Sequence, residues 1–208
     1  MSKIVVTIGD THVGNVGALC PEEVILNPDN PAKRSVYLSN DSQKEILKKW
    51  QVMCDEYPKP DLLLLNGDLV DGKNYKDTGL GTWTTDIQLQ AEVLAELVSW
   101  MKPREIVGTT GSPYHSERNP NMDKVAVEKC GGSFKGGFAS INVNGCRIHA
   151  QHKTTVSKST WQYRATPVAR ALVLAELAKD VYGHYDIALK SHVHWFNYVG
   201  FSHSLGMV

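Results

Sequence analysis

The predicted fold is decided by one stretch, Asp61-Leu62-Leu63-Leu64-Leu65-Asn66-Gly67-Asp68-Leu69-Val70-Asp71-Gly72. Four consecutive leucines are too few for a helix and are typical of a strand that is buried on both faces. The glycine that follows favours a tight turn, which places Asp68 and Asp71 just beyond the end of that strand. Two more short apolar runs, Lys3 to Gly9 and Glu105 to Gly108, predict further buried strands.

Apolar residues at helical spacing predict amphipathic helices between these strands. Ser42 and Glu45 have the spacing of a capping box for the first helix, and Thr85 or Asp86 is expected to cap the second. The apolar positions run from Ile46 to Tyr57 and from Leu89 to Met101, and Pro58 and Pro103 end these two helices. A third helix is predicted over 121–130. Residues 15–38 contain three prolines and are predicted to form a long loop. The alternation of strands and helices predicts parallel pairing.

The second half of the chain has a different pattern. Asn144-Gly145 separates two apolar runs, 138–143 and 146–151, which predicts a tight hairpin. Thr166-Pro167 begins a helix that is expected to reach Tyr182. Strands are predicted at 186–190 and 195–200, and we expect the hairpin and this final pair to form antiparallel ladders in a second sheet.

Composition limits the class of protein. The chain has 208 residues, 42% of them hydrophobic and 21% charged, which predicts one globular domain over 1–208. A net charge of zero argues against a polycation that holds nucleic acid by phosphate charge alone. No apolar run approaches the roughly 20 residues of a membrane span, so no membrane partner is expected. None of the four cysteines forms a C-x-x-C pair, so we predict reduced thiols in a cytoplasmic protein.

Carboxylates and imidazoles follow five successive predicted strands. They are Asp10 and His12; Asp68 and Asp71; His115; His152; and His192 and His194. Side chains at the carboxyl ends of strands gather at one edge of an α/β sheet. Aspartate and histidine together suit Mn, Fe or Zn better than Mg or Ca, which prefer oxygen alone. The sequence therefore predicts a transition-metal site.

The order of these blocks resembles that of the calcineurin-like metallophosphoesterases, D-x-H, G-D-x-x-D, G-N-H-D/E, H and G-H-x-H. The blocks here are Asp10-Thr11-His12, Gly67-Asp68-Leu69-Val70-Asp71, Gly111-Ser112-Pro113-Tyr114-His115, His152 and Ser191-His192-Val193-His194. The resemblance covers nearly the whole chain and looks closest to the small stand-alone members found in phages and prophages. It implies an α/β fold in which a two-sheet β-sandwich of mixed strands is flanked by helices.

The resemblance also implies a role for each residue. Two divalent transition metals are expected. Mn is favoured, and Fe, Zn and Ni are the alternatives. One metal would be held by Asp10, His12 and His194, the other by His152 and His192, with Asp68 bridging both. His115 would be the catalytic histidine that meets charge on the leaving oxygen, and Asp71 would orient it by a hydrogen bond.

The third block departs from the family pattern. The family asparagine comes immediately before its histidine, whereas here Ser112 stands three positions before His115. Either Ser112 or water fills that coordination site, or His115 has itself become a ligand. His149 competes with His152 for the mid-chain ligand position. Because their odd separation points them to opposite faces of a strand, we favour His152, which ends the strand.

The implied activity is hydrolysis of a phosphoester, and the favoured substrate is a phosphodiester in nucleic acid or a nucleotide. Lys153, Lys158 and Arg164 follow His152 and are predicted to bind substrate phosphates. The loop that contains Trp83 is a candidate for another wall of the site. One alternative is a metal-holding but catalytically weak or inactive relative that serves as an interaction module, and another is a single-metal hydrolase of a different ester. The oligomeric state is left open.

Overall fold

A computed structural model describes residues 2–73, 79–115, 121–153, 163, 166–177 and 179–194. Strands and helices alternate along this part of the chain, so the α/β class is as predicted. The four-leucine run forms β4 (Leu62–Asn66), which lies inside a four-stranded parallel sheet. Its neighbours are β1 (Val5–Ile8) on one side and β5 (Ile106–Thr109) on the other. A two-residue strand, β6 (Ser133–Phe134), completes the sheet and was too short to leave a sequence pattern.

The prediction of a structureless loop over residues 15–38 is wrong. This segment contains an antiparallel pair, β2 (Glu23–Leu26) and β3 (Ser35–Leu38). Each strand has only four residues, and a proline-containing connection separates them, so no sustained alternation marks them in the sequence. The pair carries the buried side chain of Val24 into the core.

A third sheet has the order β7 (Ala139–Val143), β8 (Cys146–Gln151) and β9 (Ile187–Lys190). The β7–β8 hairpin is confirmed: Asn144 and Gly145 both have positive φ, 52° and 88°, as a type I′ turn requires. The strand β9, which was predicted to form an antiparallel pair with a strand at 195–200, pairs with β8 in parallel. A helical crossover between β8 and β9 explains this, because it returns the chain in the same direction. The strand predicted at 195–200 lies outside the described residues.

The helices are α1 (Asp41–Glu56), α2 (Ile87–Ser99), α3 (Met122–Lys129), α4 (Thr166–Leu177) and α5 (Lys179–Tyr182). The predicted Ser42–Glu45 capping box is wrong, because Asn40 and Gln43 form it instead. Buried Gln43 also accepts from Tyr37 Oη and donates to Asn15 O, whereas Glu45 pairs with Lys48 at the surface. Asp86 caps α2. No helix in the described ranges is long and apolar enough to cross a bilayer.

The core has two parts, one on each face of β4. Leu63 and Leu65 belong to the larger cluster, which includes the apolar faces of α1, α2 and α3. Leu62 and Leu64 belong to a smaller cluster with Ala139 and Ala150 of the third sheet. The four leucines of β4 are thus buried on both sides, as the apolar run predicts.

Gly108 tests the packing of α3 on the parallel sheet. A Cβ at this position would collide with Val127 of α3, so we expect Gly108→Ala to destabilise the fold by about 1–3 kcal/mol through overpacking. A Cβ at Gly137 meets nothing within 4 Å, so Gly137→Ala is the matched control. Urea unfolding measures both free energies of unfolding. Equal stability of the two variants would contradict this packing.

Candidate metal centre

The predicted site residues meet at the carboxyl ends of β1, β4, β5, β8 and β9. Their candidate ligand atoms lie within 4.8 Å of one another in three overlapping groups. The groups are Asp10, His12 and His194; Asp68, His152 and His192; and His12, Asp68 and His115. The first two match the ligand sets that the resemblance implies, and the third contains His115, the alternative ligand discussed for the altered block.

Asp10 is at the centre of the first group. Its Oδ1 lies 3.2 Å from His194 Nε2 and 3.9 Å from His12 Nε2. Its Oδ2 accepts a 2.9 Å hydrogen bond from the backbone N–H of His192. Asp10 therefore connects the end of β1 to both histidines that follow β9.

Asp68 is at the centre of the second group. Its Oδ2 lies 3.0 Å from His152 Nε2 and 3.9 Å from His192 Nδ1. Its Oδ1 accepts a 2.6 Å hydrogen bond from Ser112 N–H, and Ser112 Oγ lies 3.1 Å and 3.0 Å from the two carboxylate oxygens. Ser112 thus contacts the predicted bridging carboxylate, and a Cβ at neighbouring Gly111 would collide with that carboxylate.

The backbone at the site is strained. Five of the predicted ligands have positive φ, between 42° and 79°: Asp10, His12, Asp68, His192 and His194. Non-glycine residues rarely adopt this conformation, and such outliers cluster at functional sites, where the surrounding structure holds them. Asp10, Asp68 and His192 each lie two residues beyond the end of a strand, so the chain turns sharply just after β1, β4 and β9.

Two buried ring nitrogens support a cation at this position. His12 Nδ1 and His152 Nε2 are buried and have no hydrogen-bond partner, although His152 Nε2 lies close to Asp68. The other nitrogen of His152, Nδ1, donates a 2.7 Å hydrogen bond to Asn66 O. An orienting bond from one ring nitrogen to a carbonyl is typical of metal-ligating histidines. The donor set and these unpaired nitrogens therefore fit a divalent transition metal.

The charges of the ligands are also suitable. Burial, together with nearby His115, lowers the pKa of His12 to about 4, so this imidazole is neutral at pH 7 and able to bind metal. Burial alone would raise the pKa of Asp68, but the adjacent His152 and the Ser112 N–H lower it to about 2. Burial opposes protonation of His152, yet contact with Asp68 raises its pKa. A cation between these two side chains would take the place of that proton.

His115 lies beside Asp71, as the resemblance implies. His115 Nδ1 is 3.3 Å from Asp71 O and 3.4 Å from Asp71 Oδ1, and the His12 and His115 ring centroids are 4.4 Å apart. Asp71 is 1% exposed, and its Oδ2 accepts from Asn15 Nδ2 at 3.3 Å. The aspartate is thus fixed between two histidines of the site.

Sequence reasoning assigned no role to Asp123, which is fully buried in the first turn of α3. Its carboxylate accepts from Leu69 N–H at 2.9 Å and from Gly111 N–H at 2.6 Å. Burial raises the pKa of Asp123 to about 6, and the two N–H donors oppose that rise. Asp123 thereby joins the loops that carry Asp68 and Ser112. In the sequence it looks like an ordinary acidic residue that favours a helix start.

The predicted substrate-binding loop is only partly described. Lys153 is exposed, and Lys158 and Arg164 lie outside the described residues. Trp83 was a candidate wall of the site, but it is 8% exposed and stacks on Tyr37 within the core. His149, the rejected ligand alternative, stacks between Phe138 and Tyr185 and belongs to none of the three ligand groups.

Comparison with known proteins gives little for this chain. No protein-family model and no curated protein matches it. A solved structure described as "The Crystal Structure of the Protein of Unknown Function AQ665 from Aquifex aeolicus" is similar over 94% of this chain and 81% of its own. The two are 16% identical with a TM-score of 0.41, so neither fold nor function is inferred from the likeness.

The Asp123 carboxylate offers a direct test of this geometry. Asp123→Asn turns one acceptor into an amide that faces a backbone N–H, which leaves buried groups unsatisfied. We expect a loss of about 1–3 kcal/mol in stability by urea unfolding. We also expect Mn affinity to fall about 10-fold or more by calorimetry, because the Asp68 loop is no longer held. Asp186→Asn, at an exposed carboxylate that also accepts a backbone N–H, is the control. Unchanged Mn affinity in Asp123→Asn would contradict this role.

Proposed function

We propose that this chain is a calcineurin-like metallophosphoesterase that hydrolyses a phosphodiester in nucleic acid or a nucleotide with two divalent transition metals. The observation that carries the proposal is the pair of adjacent ligand groups, Asp10–His12–His194 and Asp68–His152–His192, assembled from separate strand ends. The unpaired buried nitrogens of His12 and His152 support it. Packing of apolar side chains between the parallel sheet and the third sheet supports the finer assignment of a two-sheet β-sandwich.

In this proposal the six candidate ligands form two sets, one for each cation. Asp10, His12 and His194 would hold one cation, His152 and His192 would hold the other, and Asp68 would be shared by both. The chemistry that such a pair supplies when bound is neutralisation of a phosphoryl group and activation of water at neutral pH. Asn66 fixes the ring of His152 through its carbonyl, so Nε2 is directed to the cation and not to solvent.

His115 is proposed to meet the leaving group. Its Nδ1–H donates towards Asp71 O, which leaves Nε2 as the atom that faces other partners. As an imidazolium, His115 carries a proton on Nε2 that it can transfer to the leaving oxygen. The carboxylate of Asp71, 3.4 Å from Nδ1, stabilises that positive charge. The contact of Ser112 with both oxygens of Asp68 supports Ser112 as the residue that would replace the family asparagine, with water or His115 as the alternatives.

Asp68 is expected to be the most sensitive ligand. Asp68→Asn removes the negative charge shared between the two cations, so both bound metal and hydrolysis of bis-p-nitrophenyl phosphate should be lost while the fold remains. Asp61→Asn is the matched control, because Asp61 forms surface ion pairs with Lys3 and Arg104. Metal content by mass spectrometry and circular dichroism check the result. Full metal content with normal turnover in Asp68→Asn would refute the two-metal proposal, and bound metal without turnover in the unmodified protein would favour an interaction module.

His115→Ala distinguishes an acid from a ligand. As a proton donor, His115 should contribute about 10²–10⁴-fold to turnover, with two metals still bound. The defect should be smaller for p-nitrophenyl esters, whose leaving group needs less protonation, than for phenyl esters. His184→Ala, at an exposed histidine paired with Glu176 and Asp186, serves as control. Loss of one metal with recovery in excess Mn would identify His115 as a ligand instead.

A further inference from the structure

A cavity of about 720 Å³ opens directly beside the candidate metal centre. Asp10, His12, Asp71, His115 and His194 line its polar end. Its volume is within the range of sites that enclose a small organic molecule. The cavity is therefore large enough for a phosphoryl group at the centre together with one substituent of the ester.

The lining of the same cavity also contains apolar side chains, most of them from α1. Ile46, Trp50 and Met53 line it, and their spacing places them on one face of the helix. Trp50 is held in place because its Nε1 donates a 3.1 Å hydrogen bond to Leu97 O in α2. Ile46 and Met53 are half-buried, and Leu19 lines the cavity as well. This apolar wall (Leu19, Ile46, Trp50 and Met53) is rigid, since its central indole is 6% exposed and hydrogen-bonded.

The candidate metal centre and the apolar wall line the same cavity, and together they indicate the chemistry of the substrate that would fill it. A phosphoester that carries only small or charged groups would leave the exposed parts of Ile46 and Met53 in contact with water. A planar uncharged ring would cover this surface, and removing apolar surface from water favours binding. Lys49 also lines the cavity, so its positive charge disfavours a cationic substituent.

We propose that the apolar wall binds the non-leaving substituent of the substrate, and that this substituent is a planar uncharged ring such as a nucleobase or an aryl group. The inference rests on the proposed phosphodiesterase function and specifies its substrate. Among the described residues, it places specificity contacts on α1. Within the described part of the segment that follows His152, Lys153 does not line the cavity.

The experiment uses four phosphodiesters with one leaving group, p-nitrophenol, and different second substituents: methyl, choline, phenyl and 5′-thymidyl. Because the leaving group is constant, differences in kcat/KM report the second substituent alone. With the Mn-loaded protein, we expect phenyl and thymidyl esters to exceed methyl and choline esters by about 10-fold or more. A larger value for thymidyl than for phenyl would identify a nucleoside, and the reverse would identify a simple aryl group.

Met53→Ala should reduce this ring preference by several-fold, since it removes part of the apolar wall. Val52→Ala is the matched control, because Val52 is the next residue of α1, is 63% exposed and does not line the cavity. Equal kcat/KM for the methyl and aryl esters would overturn the inference while the phosphodiesterase function stands. So would an unchanged preference in Met53→Ala.

If no ester is hydrolysed although two metals are bound, the proposed function fails and the cavity is tested by binding. Calorimetry then compares phenylphosphonate with methylphosphonate on the Mn-loaded protein and on Met53→Ala. Tighter binding of phenylphosphonate that weakens in Met53→Ala supports the apolar wall. Equal affinity for the two phosphonates overturns it.

Discussion

The arrangement of the site depends on the buried side chain and carbonyl of Asn66, the last residue of β4. Its Oδ1 accepts from Thr109 Oγ1 at 2.9 Å, and its Nδ2 donates to Ser191 Oγ at 2.8 Å. Its backbone oxygen accepts from His152 Nδ1 at 2.7 Å. These bonds join the ends of β4, β5, β8 and β9, so they connect the parallel sheet to the third sheet where the candidate ligands lie. Each buried group left without its partner would cost about 1–3 kcal/mol, which makes this connection specific as well as stabilising.

Packing of the core offsets the unfavourable free energy of the backbone conformations and buried polar groups at the site. Five candidate ligands have positive φ, and the side chains of Asp68, Asp123 and His152 are almost completely buried. Strained backbone and buried polar groups are each unfavourable by themselves. They persist because the leucines of β4 are packed on both faces and because Asp123 holds the two loops next to Asp68. A site prepared in this way would reorganise little on binding the proposed cations.

Helix α1 has two functions in this structure. Leu47 and Cys54 face the larger core cluster, whereas Ile46 and Met53 line the cavity beside the metal centre. Trp50 contributes to both, since its indole is packed in the core and its exposed edge lines the cavity. Proposed chemistry and proposed substrate preference therefore come from different elements: the strand ends supply charge and ligands, and α1 supplies apolar surface.

The sequence by itself determined the strands that carry the ligands. The leucine run Leu62–Leu65 is typical of a strand that is buried on both faces, and the glycine that follows it favours a turn. The position of Asp68 just beyond a strand end therefore follows from the local sequence. The Asn144-Gly145 hairpin is equally local. The pair β2–β3 was not predicted because its four-residue strands show no sustained alternation. The Asn40–Gln43 capping box is as local as the Ser42–Glu45 pair, and the contact of Gln43 with distant Asn15 distinguishes it. The parallel pairing of β9 depends on β8, a partner distant in the chain. The same reason applies to Asn66 and Asp123. A buried asparagine and a helix-start aspartate have no periodic signature, and only the tertiary structure brings them to the strand ends whose geometry they fix.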